Sequence, residues 1–259
     1  MEIKPIRMMI NAEAGCGDDA LAPLEEHFRR LADAIRKAYR ERYAGANGVA
    51  SALDAIALLA VVRDFLAVMS RLDDEYGPDQ SLPLDDAPAA VDEALRALTD
   101  LESWLIRFGL TDQLTHLQAV EIGIGYWAMR HELPIFTVEP IVSALAAKSN
   151  AATSKQEMAA VYAMMQGFIR HFSPLLKADL ECSNPQRPWR LLNLNFAITA
   201  IRTGDTGLMR YAFDTLNSHL PYDANGFYEE AGALACQPDF PSATRGFIEA
   251  ELTRWTRVH

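Results

Sequence analysis

Apolar residues recur three and four places apart through nearly the whole of this chain, and that period is what most constrains its fold. Leu21, Leu24, Phe28, Leu31, Ile35 and Ala38 keep it, as do Val91, Leu95, Leu98, Leu101, Leu105 and Phe108. A 3.6-residue period puts such positions on one face of a helix. No window alternates with period two strongly enough to demand a sheet; residues 1–10 alone tempt a strand. The expected fold is all-α.

Stop and start signals divide the pattern. Asp18 or Asp19 is placed to cap a first helix running to about Tyr43. Ser51 with Asp54 reads as a capping box for a second, and Asp86 starts a third that Gly109 ends. The second, "ALDAIALLAVV", is apolar all round and is expected to lie centrally. From Thr111 the chain reads as paired helices over 112–132 and 138–150, 154–172 and 174–182, 186–203 and 206–220, then 222–236 and 241–256. Pro134, Pro140, Pro174, Pro188, Pro221 and Pro241 mark the joints. Ser154 and Glu157 form another capping box. This predicts an N-terminal extension over 1–17, a three-helix segment over 18–110 and a continuous hairpin array over 111–259.

Charge limits the partners. The chain carries 35 acidic and 24 basic residues, a net charge of −11. Affinity for nucleic acid comes chiefly from cations on phosphates, so a dedicated DNA or RNA binder is not expected. The excess is uneven: residues 46–110 hold 12 acids and 4 bases. Cys16, Cys182 and Cys236 are widely spaced with no C-x-x-C, which fits a reducing cytoplasm and no disulfide framework. No stretch approaches the ~18 uncharged apolar residues of a membrane span. "MEIKPIRMMINAEAGCG" is not read as a signal peptide.

Candidate chemistry is sparse. "GIGYWA", Gly123–Ala128, matches G-x-G-x-x-A, but "LTHLQAV" before it reads as helix rather than strand. The glycines are therefore assigned to close helix packing. His27, His116, His131, His171, His219 and His259 form neither H-E-x-x-H nor E-x-x-H, and are read as surface or helix-end residues. No G-x-S-x-G and no phosphate loop is present. Cys16 is flanked by Asp18 and Asp19, which disfavour a thiolate. Asp73, Asp74, Glu75, Asp79, Asp85 and Asp86 crowd one stretch without a base; they read as a solvated loop, with a docking surface for something basic as the functional alternative. No catalytic residue, metal site or cofactor is expected.

The stretch "PWRLLNLNFAITAIRTGD", Pro188–Asp205, is the most patterned. On a helical wheel Trp189, Leu192, Phe196 and Ala200 share one side, and Leu191, Leu194, Ile198 and Ile201 the other. Asn195, Thr199 and Arg202 make a narrow polar strip, expected to look into a groove or solvent channel. Arg190 and Asn193 lie within the apolar arc. Trp189 is expected to be buried, and a buried Asn193 must find hydrogen-bond partners.

Trp189, Leu192 and Phe196 resemble the W-x-x-L-G-x-x-Y helix of the tetratricopeptide repeat, with Asn193 in place of the glycine. Gly207 and Tyr211 stand in for the second helix's small and aromatic residues, and Pro221 for the closing proline. Seventy residues earlier Ile122, Gly123 and Tyr126 match the L-G-x-x-Y part. The resemblance implies stacked antiparallel hairpins, an α-solenoid that holds partners. It also implies a ligand face along Arg190, Leu194, Ala197 and Ile198, mostly apolar, with residues 51–70 as a candidate cover.

The expected function is a non-catalytic cytoplasmic scaffold or adaptor that binds another protein; self-association is left open. Its candidate binding residues are Arg190, Asn193, Asn195, Thr199 and Arg202. The alternative is an enzyme or small-anion-binding protein with a polar pocket between helices, for which Arg170 and His171 join Arg190, Asn195 and Arg202.

Overall fold

The computed structural model describes residues 21–43, 54–77, 80–82, 85–172, 174–178, 183–235 and 241–258. Outside them lie the expected extension over 1–17, the strand over 1–10, Asp18, Asp19, Ser51, Cys16, Cys182, Cys236 and His259. Every described element is helical. In chain order they are α1 (Ala22–Tyr43), α2 (Ala55–Tyr76), α3 (Ala87–Phe108), a 3-10 turn (Thr111–Gln113), α4 (Leu114–Arg130), α5 (Glu139–Ala151), α6 (Lys155–His171), α7 (Pro174–Lys177), α8 (Pro188–Thr203), α9 (Thr206–His219), α10 (Ala224–Ala235) and α11 (Ser242–Val258). None of them is long and apolar enough to cross a membrane.

The helix ends follow local chemistry. Asp54 itself caps α2, accepting from the Ile56 amide at 3.0 Å, so the cap is not centred on Ser51. Gly109 ends α3 and Gly204 ends α8, both in the left-handed region that favours glycine. Asp205 caps α9 through the amides of Gly207 and Leu208. The box at α6 is complete: the Glu157 amide donates to Ser154 Oγ at 3.1 Å, and the Ser154 amide donates to Glu157 Oε2 at 2.9 Å. α7 covers Pro174–Lys177; residues 179–182 of the helix expected over 174–182 lie outside the described residues.

The described residues form two compact units. One runs to Leu145 and takes in His171–Ser173; the other holds Ala146–Arg170 and the chain from Pro174. In the first unit α2 packs on α3, α1 packs on α2 and α3, and α4 packs on both α1 and α3. Leu31, Ile35, Val62, Met69, Val91, Leu95, Leu98, Val120 and Ile124 fill its core. α2 is not enclosed on all sides: Ile56 is exposed, and so are Arg63 and Asp64. Those charges interrupt the apolar run and mark its wet side. The close-packing reading of Gly123 holds: a Cβ there would come within 2.6 Å of a Leu24 methyl on α1.

In the second unit α8 packs on α9 and α10 on α11. Aromatic contacts tie the helices together. Tyr162 of α6 stacks on Phe196 of α8 with ring centroids 4.4 Å apart, and Phe213 of α9 meets Phe227 and Tyr228 of α10 edge-on.

Candidate functional site

Two places gather the side chains of interest: helix α8 in the second unit, and a cleft between α3, α4 and α5 in the first.

On α8, Trp189, Leu192, Phe196 and Ala200 are buried, as their shared face requires. Asn193 is 0% exposed and finds both partners it needs. Its Nδ2 donates to the Trp189 carbonyl at 2.8 Å, and its Oδ1 accepts from His219 Nδ1 of α9 at 2.9 Å. Burial first, and then the charge of Lys177, lowers the His219 pKa below the ordinary histidine value, which keeps this ring neutral. Arg190 donates to Asp223 at 2.7 Å and to the Pro185 carbonyl at 3.0 Å. Arg187 donates to the other oxygen of Asp223. Burial works to raise Asp223, and the two guanidiniums outweigh it, so the carboxyl sits below the usual carboxylate range.

The polar strip turns inward rather than toward a groove. Thr199 is 0% exposed; it donates to the Asn195 carbonyl at 2.6 Å and meets Ser149 Oγ at 2.7 Å. Half-buried Asn195 bonds the Leu191 carbonyl. Arg202 donates to the carbonyls of Ser149 and Ala152 at the end of α5. No acid lies one turn away on α8, and the guanidinium instead meets the carbonyls and negative dipole end of a neighbouring helix. Wheel geometry alone does not reveal such a partner, since it comes from about fifty residues upstream.

Apart from the half-buried Arg190, Asn195 and Arg202, what remains partly open on this side of α8 is apolar. Leu191, Leu194 and Ile201 are half-buried and Ile198 is 42% exposed. The other candidate cations have partners of their own. Arg170 lies over the Tyr211 ring and donates to its hydroxyl, and His171 Nε2 meets the Leu133 carbonyl at 2.9 Å.

In the first unit, one carboxylate of the acidic run is structural. Asp73 Oδ1 accepts from Trp127 Nε1 at 2.7 Å and lies 2.7 Å from His131 Nε2, while His131 Nδ1 lies 2.6 Å from the Gln80 carbonyl oxygen. His131 stands at the helix end as expected, as the C-cap of α4, but it is 0% exposed and so is not a surface residue. Likewise Asp73 is no part of a solvated loop; it stands in the last turn of α2. Asp74 and Glu75 share that last turn but are exposed, as are Asp85 and Asp86; Asp79 lies outside the described residues. His27 and His116 meet across α1 and α4 with Nδ1 atoms 2.8 Å apart.

The cleft holds a buried acid. Glu121 of α4 is 3% exposed and lines a recess of about 110 Å³, together with Glu102 and Thr99 of α3, Leu117 and Gln118 of α4, and Glu139, Pro140, Ser143 and Ala144 of α5. Buried Asp92 sets the approach to α5 by accepting from the Phe136 and Thr137 amides at 3.1 and 2.7 Å. Among the described residues no hydrogen bond or ion pair reaches the Glu121 carboxyl. Burial, and then the charge of Glu102, pushes it up to about 8. The sequence reading missed Glu121. A lone glutamate in "LQAVEIGIG" gives no sign of facing inward; its one signal is that it falls in phase with buried Leu117, Val120 and Ile124. No group of three His, Cys, Asp or Glu among the described residues is arranged to hold a metal ion.

Protein-family models, curated proteins and solved structures gave no match to this chain.

Proposed function

We propose that the protein is a non-catalytic protein-binding scaffold, and that the outward face of α8 takes an apolar helix or peptide of its partner. The observation that carries this reading is the asymmetry of α8. Its inner face is buried, its polar side chains are all held by hydrogen bonds within the second unit, and Leu191, Leu194, Ile198 and Ile201 are left as a partly open apolar row. Amphipathic helices dock on such rows through anchors three and four residues apart. Ile198 stands where the tetratricopeptide resemblance puts the ligand face.

A repeat-like array is the framework we infer for it. Helices α6, α8 and α10 begin at Lys155, Pro188 and Ala224, 33 and 36 residues apart. Two of them are followed by a helix that packs on them, α9 on α8 and α11 on α10. Spacings of this size suit stacked helical hairpins. In this account Arg190, Asn193, Asn195, Thr199 and Arg202 hold the face in shape, and the apolar row makes the contact.

Affinity capture from the native host, run side by side with wild type and Ile198→Glu, tests the proposal. One stoichiometric protein partner on the wild type, lost from a variant of unchanged melting temperature, supports it. Equal recovery on both overturns it.

A further inference from the structure

We propose that the cleft between α3, α4 and α5 binds a primary alkylammonium group, with Glu121 as its buried counter-ion. The inference stands apart from the proposed role of α8.

The geometry comes first. Glu121 is buried, unpartnered and part of the cleft wall. A carboxyl in that setting is unfavourable unless it is neutralised or paired. Glu102 and Glu139 stand exposed at the same cleft, so its mouth carries negative charge while its floor lacks a cation. Leu117, Pro140 and Ala144 supply buried apolar wall. Acid at the floor, acid at the rim and hydrocarbon between them is the complement of an ammonium on an alkyl stem. Thr99, Gln118 and Ser143 add oxygens for the remaining N–H donors.

Size and shape choose the ammonium over other cations. About 110 Å³ suits a compact head with three rotatable donors better than the flat fork of a guanidinium. A chelated metal is not favoured, because the carboxylates come from three helices and are not arranged around one point.

The proton on Glu121 makes the exchange measurable. The charged and titratable neighbours are Glu102 on α3 and Glu139 on α5; from α1, His27 faces His116 at another point of α4. With the carboxyl pushed up to about 8, the empty cleft holds a proton at neutral pH. An entering ammonium, charged already, displaces that proton to solvent. Binding therefore tightens as pH rises, by about tenfold between pH 7 and pH 9, with close to one proton released per site at pH 7.

Calorimetric titration of the full chain tests this with n-butylammonium chloride, in buffers of different ionisation heat. Expected are saturable binding, the stated proton release and pH slope, and at least a tenfold loss in Glu121→Gln. Glu102→Gln, on an exposed side chain, should weaken binding several-fold and serves if Glu121→Gln fails to fold. Putrescine and Nα-acetyl-lysine amide distinguish a free diamine from a lysine side chain of another protein: the tighter of the two names the source. The proposal is overturned if n-butylammonium does not bind, if tetramethylammonium or n-butanol binds equally well, or if Glu121→Gln and Glu102→Gln leave both affinity and proton release unchanged.

Discussion

Replacing Arg202 with alanine leaves the Ser149 and Ala152 carbonyls at the end of α5 without their donor. Hydrogen bonds from charged donors contribute roughly 1.5–3 kcal/mol, and urea denaturation of Arg202→Ala should show a loss in that range. A loss in Arg202→Lys as large as in Arg202→Ala would locate the effect in the forked geometry rather than in charge alone. Glu121 predicts the opposite kind of change. Its folded-state pKa lies above the unfolded value, so its neutral form stabilises the protein fully below about 4.5, and that contribution is lost as pH rises through about 8. Glu121→Gln keeps the shape and removes the titration. Wild type should lose melting temperature relative to the variant between pH 5 and pH 9; parallel melting curves across that window would contradict the assignment.

At the scale of the helix, Gly123 sets how closely α4 approaches α1. A methyl group there runs into the buried Leu24 side chain, and such overpacking destabilises by about 1–3 kcal/mol. Thermal unfolding of Gly123→Ala checks this, and the same substitution should cost less in a Leu24→Ala background, where the clashing methyl is gone. The capping box of α6 has its own pH signature. The Ser154 backbone amide first, then Thr153, holds Glu157 down at about 2. Its stabilisation is complete above about 4.5 and is lost as pH falls through about 2. The melting difference between wild type and Glu157→Ala should therefore be present at pH 6 and vanish near pH 2. Helix type and most boundaries were legible in the sequence because period, caps and prolines are local signals. The α2 cap falls on Asp54 because serine and aspartate compete for such positions, and a shared preference does not choose between them.

At the scale of the molecule, the all-α class followed from period alone, whereas the site did not. Trp189 and Asn193 were readable, since a shared apolar face and a buried amide each carry one expectation. Arg202, Asp73 and His131 were not, because their partners lie far away in sequence and only the fold joins them. Glu121 was hidden for a related reason: its character comes from what surrounds it, Glu102 and the walls of the cleft, rather than from a motif. The scaffold proposal separates most sharply from its rival in one comparison, the partner's dissociation constant measured with wild type, Ile198→Glu and Arg202→Ala beside each variant's melting temperature. The account predicts at least tenfold weaker binding with an unchanged melting temperature for Ile198→Glu, and a lowered melting temperature with unchanged affinity for Arg202→Ala. Affinity that falls with Arg202→Ala at full stability, and survives Ile198→Glu, would contradict it.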